Sequence, residues 1–230
     1  MVRQSILKVI FGSLLLSLSW GVQAQEQTVL EQWFAEDHSG KMQISISGDT
    51  LDITTPKGLT LWYKERLTGT YEISYRAKVL MQGGKYDRLS DLNCFWGAND
   101  PQYPNNLFAN SQWRKGIFAN YKTLKLFYVG YGGNHNSTTR FRQYLGGGPD
   151  INDSIARLVI KEYSDPQHLL VPNQWYQIRI QVKKEKTLFY VNNELLFECS
   201  IKEKEGDGHF GLRLLSNHVL VAGFQVKKTE

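Results

Sequence analysis

Between Tyr128 and Tyr144 the chain reads YVGYGGNHNSTTRFRQY, which packs aromatics, glycines, asparagines and two arginines into one short segment. No ordinary strand or helix needs that mixture. If Arg140 and Arg142 lie on a strand, they alternate with Phe141 and share a face with Tyr144. Two guanidiniums side by side are costly unless an anion or a carboxylate meets them. The competing reading is that both face bulk water on a convex sheet, as arginines commonly do, and that the glycines merely make a hairpin. The segment SDLNCFWGANDP is the second candidate, because Asp91 and Asn93 alternate with Leu92 and Cys94 and so form a polar face opposite a core face. Asp91 suits a general base, or a carboxylate that holds an arginine such as Arg140. A structural hydrogen-bonding pair would account for Asp91 and Asn93 equally well. Glu72 and Glu162 are acid/base candidates that read as readily as solvated or ion-paired carboxylates.

Other chemistry is missing from the chain. It has no His-Glu-x-x-His, no Cys-x-x-Cys, no phosphate-binding glycine loop and no Gly-x-Ser-x-Gly elbow. No cofactor is expected. Asp150, Asn152 and Asp153 in PDINDS could place oxygens near a calcium ion, but they lack EF-hand spacing and read better as a turn cap. NST at Asn136 and NDS at Asn152 are glycosylation sequons that matter only in a eukaryotic secretory pathway.

These candidates need a scaffold. Residues 1–24 carry Arg3 and Lys8, then the apolar run VIFGSLLLSLSW, then VQA before Gln25. That is the pattern of a secretory signal peptide cleaved near Ala24, too short and wrongly flanked for a membrane span. The expected mature chain, residues 25–230, is long enough for one large β-sandwich with its own core, periplasmic or secreted and read as a monomer. Its charge is mild and its lysines and arginines are scattered, which argues against nucleic acid. Cys94 and Cys199 are the only cysteines. An oxidising compartment permits a bridge, and two buried free thiols fit as well.

From Lys41 onward the hydrophobic period is two. In TYEISYRAKV, Tyr71, Ile73, Tyr75, Ala77 and Val79 point one way and the polar residues the other. WYQIRIQV alternates in the same manner, and TLFYVNNELLFECSI reads as two strands joined at Asn192-Asn193. Strand-like islands recur in DLNCFWGA, LKLFYVGY, TTRFRQY and ARLVIKEY, between loops rich in glycine and asparagine. A short amphipathic helix fits TVLEQWFAE or NLFANSQW only weakly, and His168 and His209 read as loop residues. The expectation is an all-β fold of two packed antiparallel sheets.

The order of elements, with EQWFAE, GDTLDIT and GLTLWYKERLTGTYEISYRAKV early, then NQWYQIRIQVKKEKTLFYVNNELLFE and GHFGLRLLSNHVLVAGFQV, resembles the concanavalin A-like lectin/glucanase superfamily. SDLNCFWGANDP, FYVGYGGNHNSTTRFR and KEYSDPQHLLVPNQWY resemble a narrower branch of secreted bacterial domains of unknown function, associated with plant-polysaccharide and pectin degradation. The resemblance implies a jelly-roll sandwich whose concave sheet holds a sugar. It supplies no catalytic assignment, since the Glu-x-Asp-x-x-Glu strand of the glucanases and the signature strands of jelly-roll alginate lyases are absent. On that footing a uronic acid would suit Arg140 and Arg142. Asn134 and His135 offer groups for sugar hydroxyls, and Tyr128, Tyr131, Trp96 and Trp113 offer flat surfaces for rings, although a tryptophan in a sandwich is more often core. Arg213, Ser216 and His218 would lie near the concave sheet. Three functions compete. One is glycan binding without cleavage. Another is cleavage, either by a lyase with Tyr131 or His135 as acid or base, or by a hydrolase with Asp91 and Glu162. The last is a structural interaction sandwich.

Overall fold

The alternating segments fold as strands in a computed structural model, which describes residues 29–229. The signal peptide expected over residues 1–24 lies outside the described residues. β4 (Tyr71–Val79) buries the five apolar side chains that its alternation puts on one face. β9 (Tyr176–Val182) pairs antiparallel with it, Ile178 opposite Tyr75 and Ile180 opposite Ile73. β10 (Lys186–Val191) and β11 (Glu194–Ser200) continue that sheet as a hairpin. At its turn Asn192 and Asn193 have φ of 50° and 69°, the paired positive values a tight hairpin demands.

Two long strands tie the layers together. β3 (Thr50–Tyr63) and β12 (His209–Lys228) pair along most of their length. The first half of β12 pairs with β5 (Leu92–Asn99) and the second half with β4. The crossing point is a bulge at Ser216, φ 48°, where the register shifts between Leu215 and Asn217. One sheet thus contains β1 (Trp33–Asp37), the ends of β3 and β12, and β5, followed by β6 (Lys125–Gly132), β7 (Thr138–Leu145) and β8 (Arg157–Tyr163). The other contains β2 (Gln43–Ser47), the remaining halves of β3 and β12, and β4, β9, β10 and β11. This is the expected all-β antiparallel jelly roll.

The core fills the space between the sheets. Trp96 stacks on Phe127 at 5.7 Å and on Phe141 at 5.6 Å, and it reaches Phe189 of the opposite sheet at 6.0 Å. Its indole N–H donates to Thr187 at 2.9 Å, so a single side chain pins both layers. Cys94 is buried in this core and Cys199 is half-buried on β11; both are free thiols, which removes the bridge alternative. Two local expectations change. In TVLEQWFAE the described residues are helical only over 29–31, and Trp33–Asp37 is strand β1, because pairing with β3 overrides a weak helical pattern there. His209 opens β12 and is buried, its Nδ1 donating to the Tyr63 carbonyl at 3.1 Å.

Candidate functional site

The first sheet has a second, outward face opposite the core, and strand parity decides what stands on it. Register aligns Thr60, Arg213, Asn93, Gly130, Arg140 and Glu162 across six neighbouring strands. The next row runs Trp62, Gly211, Phe95, Tyr128, Arg142 and Val159. Gly130 links the two rows. A Cβ there would sit 2.6 Å from the Tyr128 hydroxyl, so the absence of a side chain lets Tyr128 lie along the sheet with its oxygen in the polar row. The result is a line of Arg213, Asn93, the Tyr128 hydroxyl and Arg140.

Half of this face is roofed by residues 100–124. Their only regular structure is short helical turns at Leu107–Asn110, Ser111–Arg114 and Phe118–Thr123. Too short to be stable alone, these turns are held by a second apolar cluster, in which Trp62, Phe95, Tyr121, Leu124, Leu126 and Tyr144 are buried. Arg114 fastens them. It is fully buried and donates to Glu36 at 2.8 Å and to Asp100 at 3.1 Å, and Tyr121 donates to the other Glu36 oxygen. Gly116, φ 68°, lets the roof touch β1 and β3, where any side chain would collide with backbone. The roof carries Phe118, whose ring lies 5.5 Å from Tyr128 with Arg157 and Arg213 over it at 5.4 and 5.3 Å.

The charges do not balance. Arg88 pairs with Asp91, Arg140 with Glu162 and Arg157 with Asp153. Among the described residues neither Arg142 nor Arg213 has a carboxylate within 4.0 Å. Arg213 is only 2% exposed, and its hydrogen bonds go to neutral oxygens, the Gly116 carbonyl at 2.8 Å and the Thr60 hydroxyl at 3.4 Å. A buried cation without a counter-ion is unfavourable, as is a buried polar atom without a partner. This face has five such orphaned atoms: Trp62 Nε1, Asn93 Oδ1, Arg142 Nε, Tyr144 Oη and Arg157 Nε. Arg157 lies beside the Tyr144 hydroxyl without a hydrogen bond of normal geometry. Burial holds the Tyr128 phenol well above its ordinary pKa; Tyr144 and Asp91 add to the rise, while Arg213 and Arg142 oppose it. Burial likewise raises Tyr144, against Arg157, Arg142 and Arg213. Both free guanidiniums therefore act on the same two phenols, whose raised pKa values keep them protonated at neutral pH, with a hydroxyl proton to offer a ligand.

Of the residues expected at a site, Asp91, Asn93, Tyr128, Arg140, Arg142 and Arg213 come together here, with Glu162 at the rim. Asp91 sits at φ 63° just before β5 and holds Arg88 rather than Arg140, whose partner is Glu162. Tyr131 and Trp96 point the other way. Tyr131 is three residues from Tyr128 and Trp96 three from Asn93, and on a strand odd separations face opposite sides. Tyr131 packs edge-on against Tyr176 at 5.2 Å, remote from both arginines. Asn134 and His135 form the exposed tip after β6, with φ of 51° and 58°. Trp113 is 42% exposed on the roof. His218 lies beyond the β12 bulge on the outer face of the second sheet, 2.7 Å from Asp52, so it does not converge with the others. Ser216 makes the bulge itself and donates to the Pro56 carbonyl. Arg157, Phe118 and Gly130 were not among the expected site residues, whereas the weak helix expected at NLFANSQW is present as the turns at Leu107–Asn110 and Ser111–Arg114.

Asp91 and Glu162 do not resemble a hydrolytic pair. Each is already ion-paired, and their strands, β5 and β8, stand about 14 Å apart at the usual spacing, beyond the ~6.5–9.5 Å of an inverting pair. The segment expected to place oxygens near a calcium ion is engaged in a turn cap and an ion pair. No group of three or more His, Cys, Asp or Glu among the described residues could hold a metal, Asn152 caps a turn through the Ser154 N–H at 2.9 Å, and Asp153 pairs with Arg157. A roomy hollow, about 1040 Å³, lies at one end of the sandwich between the turns at Lys183–Glu185 and Ile201–Asp207. Its charged side chains are of both signs and mostly exposed, and no orphaned buried polar atom faces it, so the polar row is the stronger site.

No curated protein matches the chain. Solved structures with the same fold include a protein of unknown function with a galectin-like fold from Bacillus subtilis, 16% identical over 86% of this chain and 90% of that one, TM-score 0.66. A carbohydrate binding module, CBM66, from Bacillus subtilis is 10% identical over 86% and 96%, TM-score 0.52. A legume lectin-like domain from Entamoeba histolytica is 12% identical over 89% and 93%, TM-score 0.55. At such identities these likenesses establish the fold alone. The family model described as Domain of unknown function (DUF6250) matches residues 53–224, which take in β4 to β11 and the whole polar row, and the chain belongs to that family.

Proposed function

We propose that this protein recognises an acidic carbohydrate, one containing uronic acid, on the partly roofed face of its first sheet. The observation that carries this reading is the pair Arg142 and Arg213, two guanidiniums without carboxylate partners beside the Tyr128 and Tyr144 hydroxyls. A uronate carboxylate supplies the missing charge, ring hydroxyls meet Asn93 and the phenols, and Phe118 and Tyr128 give a flat apolar contact. Likeness in fold to a carbohydrate binding module supports the ligand class. The leader pattern supports a periplasmic or secreted chain acting as one domain over residues 25–230. No helix among the described residues is long and apolar enough to cross a membrane. Binding without cleavage is favoured because the phenols are held protonated and the carboxylates are paired and far apart. The test is calorimetric titration with a galacturonate trimer and with its methyl ester, while ultraviolet absorbance for unsaturated uronate and reducing ends are followed. Binding of the acid but not the ester, without new products, is the expected result. Equal affinity for both forms overturns the reading.

A further inference from the structure

The polar row contains one side-chain amide, and a neighbouring carboxylate determines which end of it faces the site. The Asn93 amide could in principle turn either end toward a ligand. Its Nδ2 lies 3.0 Å from Asp91 Oδ1, while Arg88 and the Ser90 hydroxyl, the latter at 2.8 Å, engage the other Asp91 oxygen. A carboxylate has lone pairs and no proton to give, so only the NH₂ end of the amide can face it. The Asn93 oxygen must then point into the site, where it is buried and makes no hydrogen bond. On either side in register stand Arg213 and Gly130, over which the Tyr128 hydroxyl lies.

We propose that Asp91 is a positioning residue that locks Asn93 as an acceptor, and that the site thereby selects a hydroxylated sugar acid over a bare anion. The proposal rests on the acidic-glycan reading above. An inorganic anion or a plain carboxylate brings only acceptors and leaves the Asn93 oxygen unpaired. A sugar acid brings a carboxylate for Arg213 and Arg142 and a hydroxyl proton for Asn93. Leaving a buried acceptor unpaired costs roughly 10- to 100-fold in affinity.

The test is competition against a fluorescently labelled galacturonate trimer by galacturonate and by cyclohexanecarboxylate, which matches it in ring size and charge but has no hydroxyls. The wild-type protein should prefer galacturonate by about tenfold or more. In Asp91→Asn, residue 91 tolerates the positive φ, and its amide can donate as well as accept, so Asn93 is free to flip. Galacturonate should then weaken about tenfold and the preference should fall to about threefold or less. Arg88→Met removes the same ion pair but leaves the Asp91 carboxylate, so it should keep the wild-type ratio. A ratio unchanged in Asp91→Asn, lost equally in Arg88→Met, or near one in the wild type overturns the lock. If the labelled trimer does not bind the wild type at all, the acidic-glycan reading fails, and this proposal with it.

Discussion

Replacing Arg213 with methionine separates a ligand-binding guanidinium from a structural one. The substitution keeps most of the side-chain stem and removes the charge. It costs the bond to the Gly116 carbonyl, leaving that buried acceptor short of a partner by about 1–3 kcal/mol. Against this, it relieves the burial of a cation that has no counter-ion, a penalty of several kcal/mol per ion before neutral hydrogen bonds offset part of it. The two effects nearly cancel, so stability by urea unfolding should shift by no more than about 2 kcal/mol in either direction. Binding should behave differently. A charge-assisted hydrogen bond contributes about 1.5–3 kcal/mol, so calorimetry should show the galacturonate trimer weakened ~10- to 150-fold. A protein destabilised by more than about 4 kcal/mol with its affinity intact would refute the reasoning, because Arg213 would then be a core strut.

Other substitutions probe the roof and the glycine. Arg114→Met strands Glu36 and Asp100 as buried carboxylates and should cost about 3–5 kcal/mol, with faster hydrogen exchange across residues 107–124; unchanged exchange there would contradict the role given to Arg114. Gly130→Ala should push Tyr128 out of the polar row, cost about 1–3 kcal/mol and weaken binding, whereas adding Tyr128→Phe should recover stability but not affinity. Burial depresses the His209 pKa below its ordinary 6.5, so above pH 6.5 both folded and unfolded chains are neutral there. As pH falls below 6.5 the unfolded chain takes the proton first, and stability drops until the folded pKa is passed. His209→Gln should flatten the urea-midpoint profile between pH 7 and 5, and an unaltered slope would refute this. Native labelling should reach Cys199 before Cys94, whose thiol burial pushes up to about 12.

The strands were legible because their side chains announce faces. Tyr71 to Val79 and Tyr176 to Val182 alternate cleanly, and Asn192-Asn193 can take positive φ at both turn positions. The same parity rule, pressed further, separates Tyr128 from Tyr131 and Asn93 from Trp96, a signal present in the sequence but outweighed by the appeal of aromatic rings. Which strands become neighbours was not legible. Arg213 meets Asn93 only because β12 crosses between the sheets at a bulge held by Ser216, and nothing local in LLSNH fixes that register. Beyond the short helix expected at NLFANSQW the roof was hidden as well, since residues 100–124 have no sustained period and are held by Arg114 to Asp100 and to Glu36, 78 residues away in the chain. His218 was misplaced for the related reason that the bulge moves everything after it to the other layer.

The central claim is that the acidic ligand sits on the polar row and not in the hollow at the sandwich end. Backbone and side-chain NMR shifts, followed as a galacturonate trimer is added, test it directly. The account predicts perturbations centred on Asn93, Gly130, Arg142 and Arg213, extending to Phe118 on the roof. Shifts clustered instead on Lys183–Glu185 and Ile201–Asp207, or absent at saturating ligand, would contradict it.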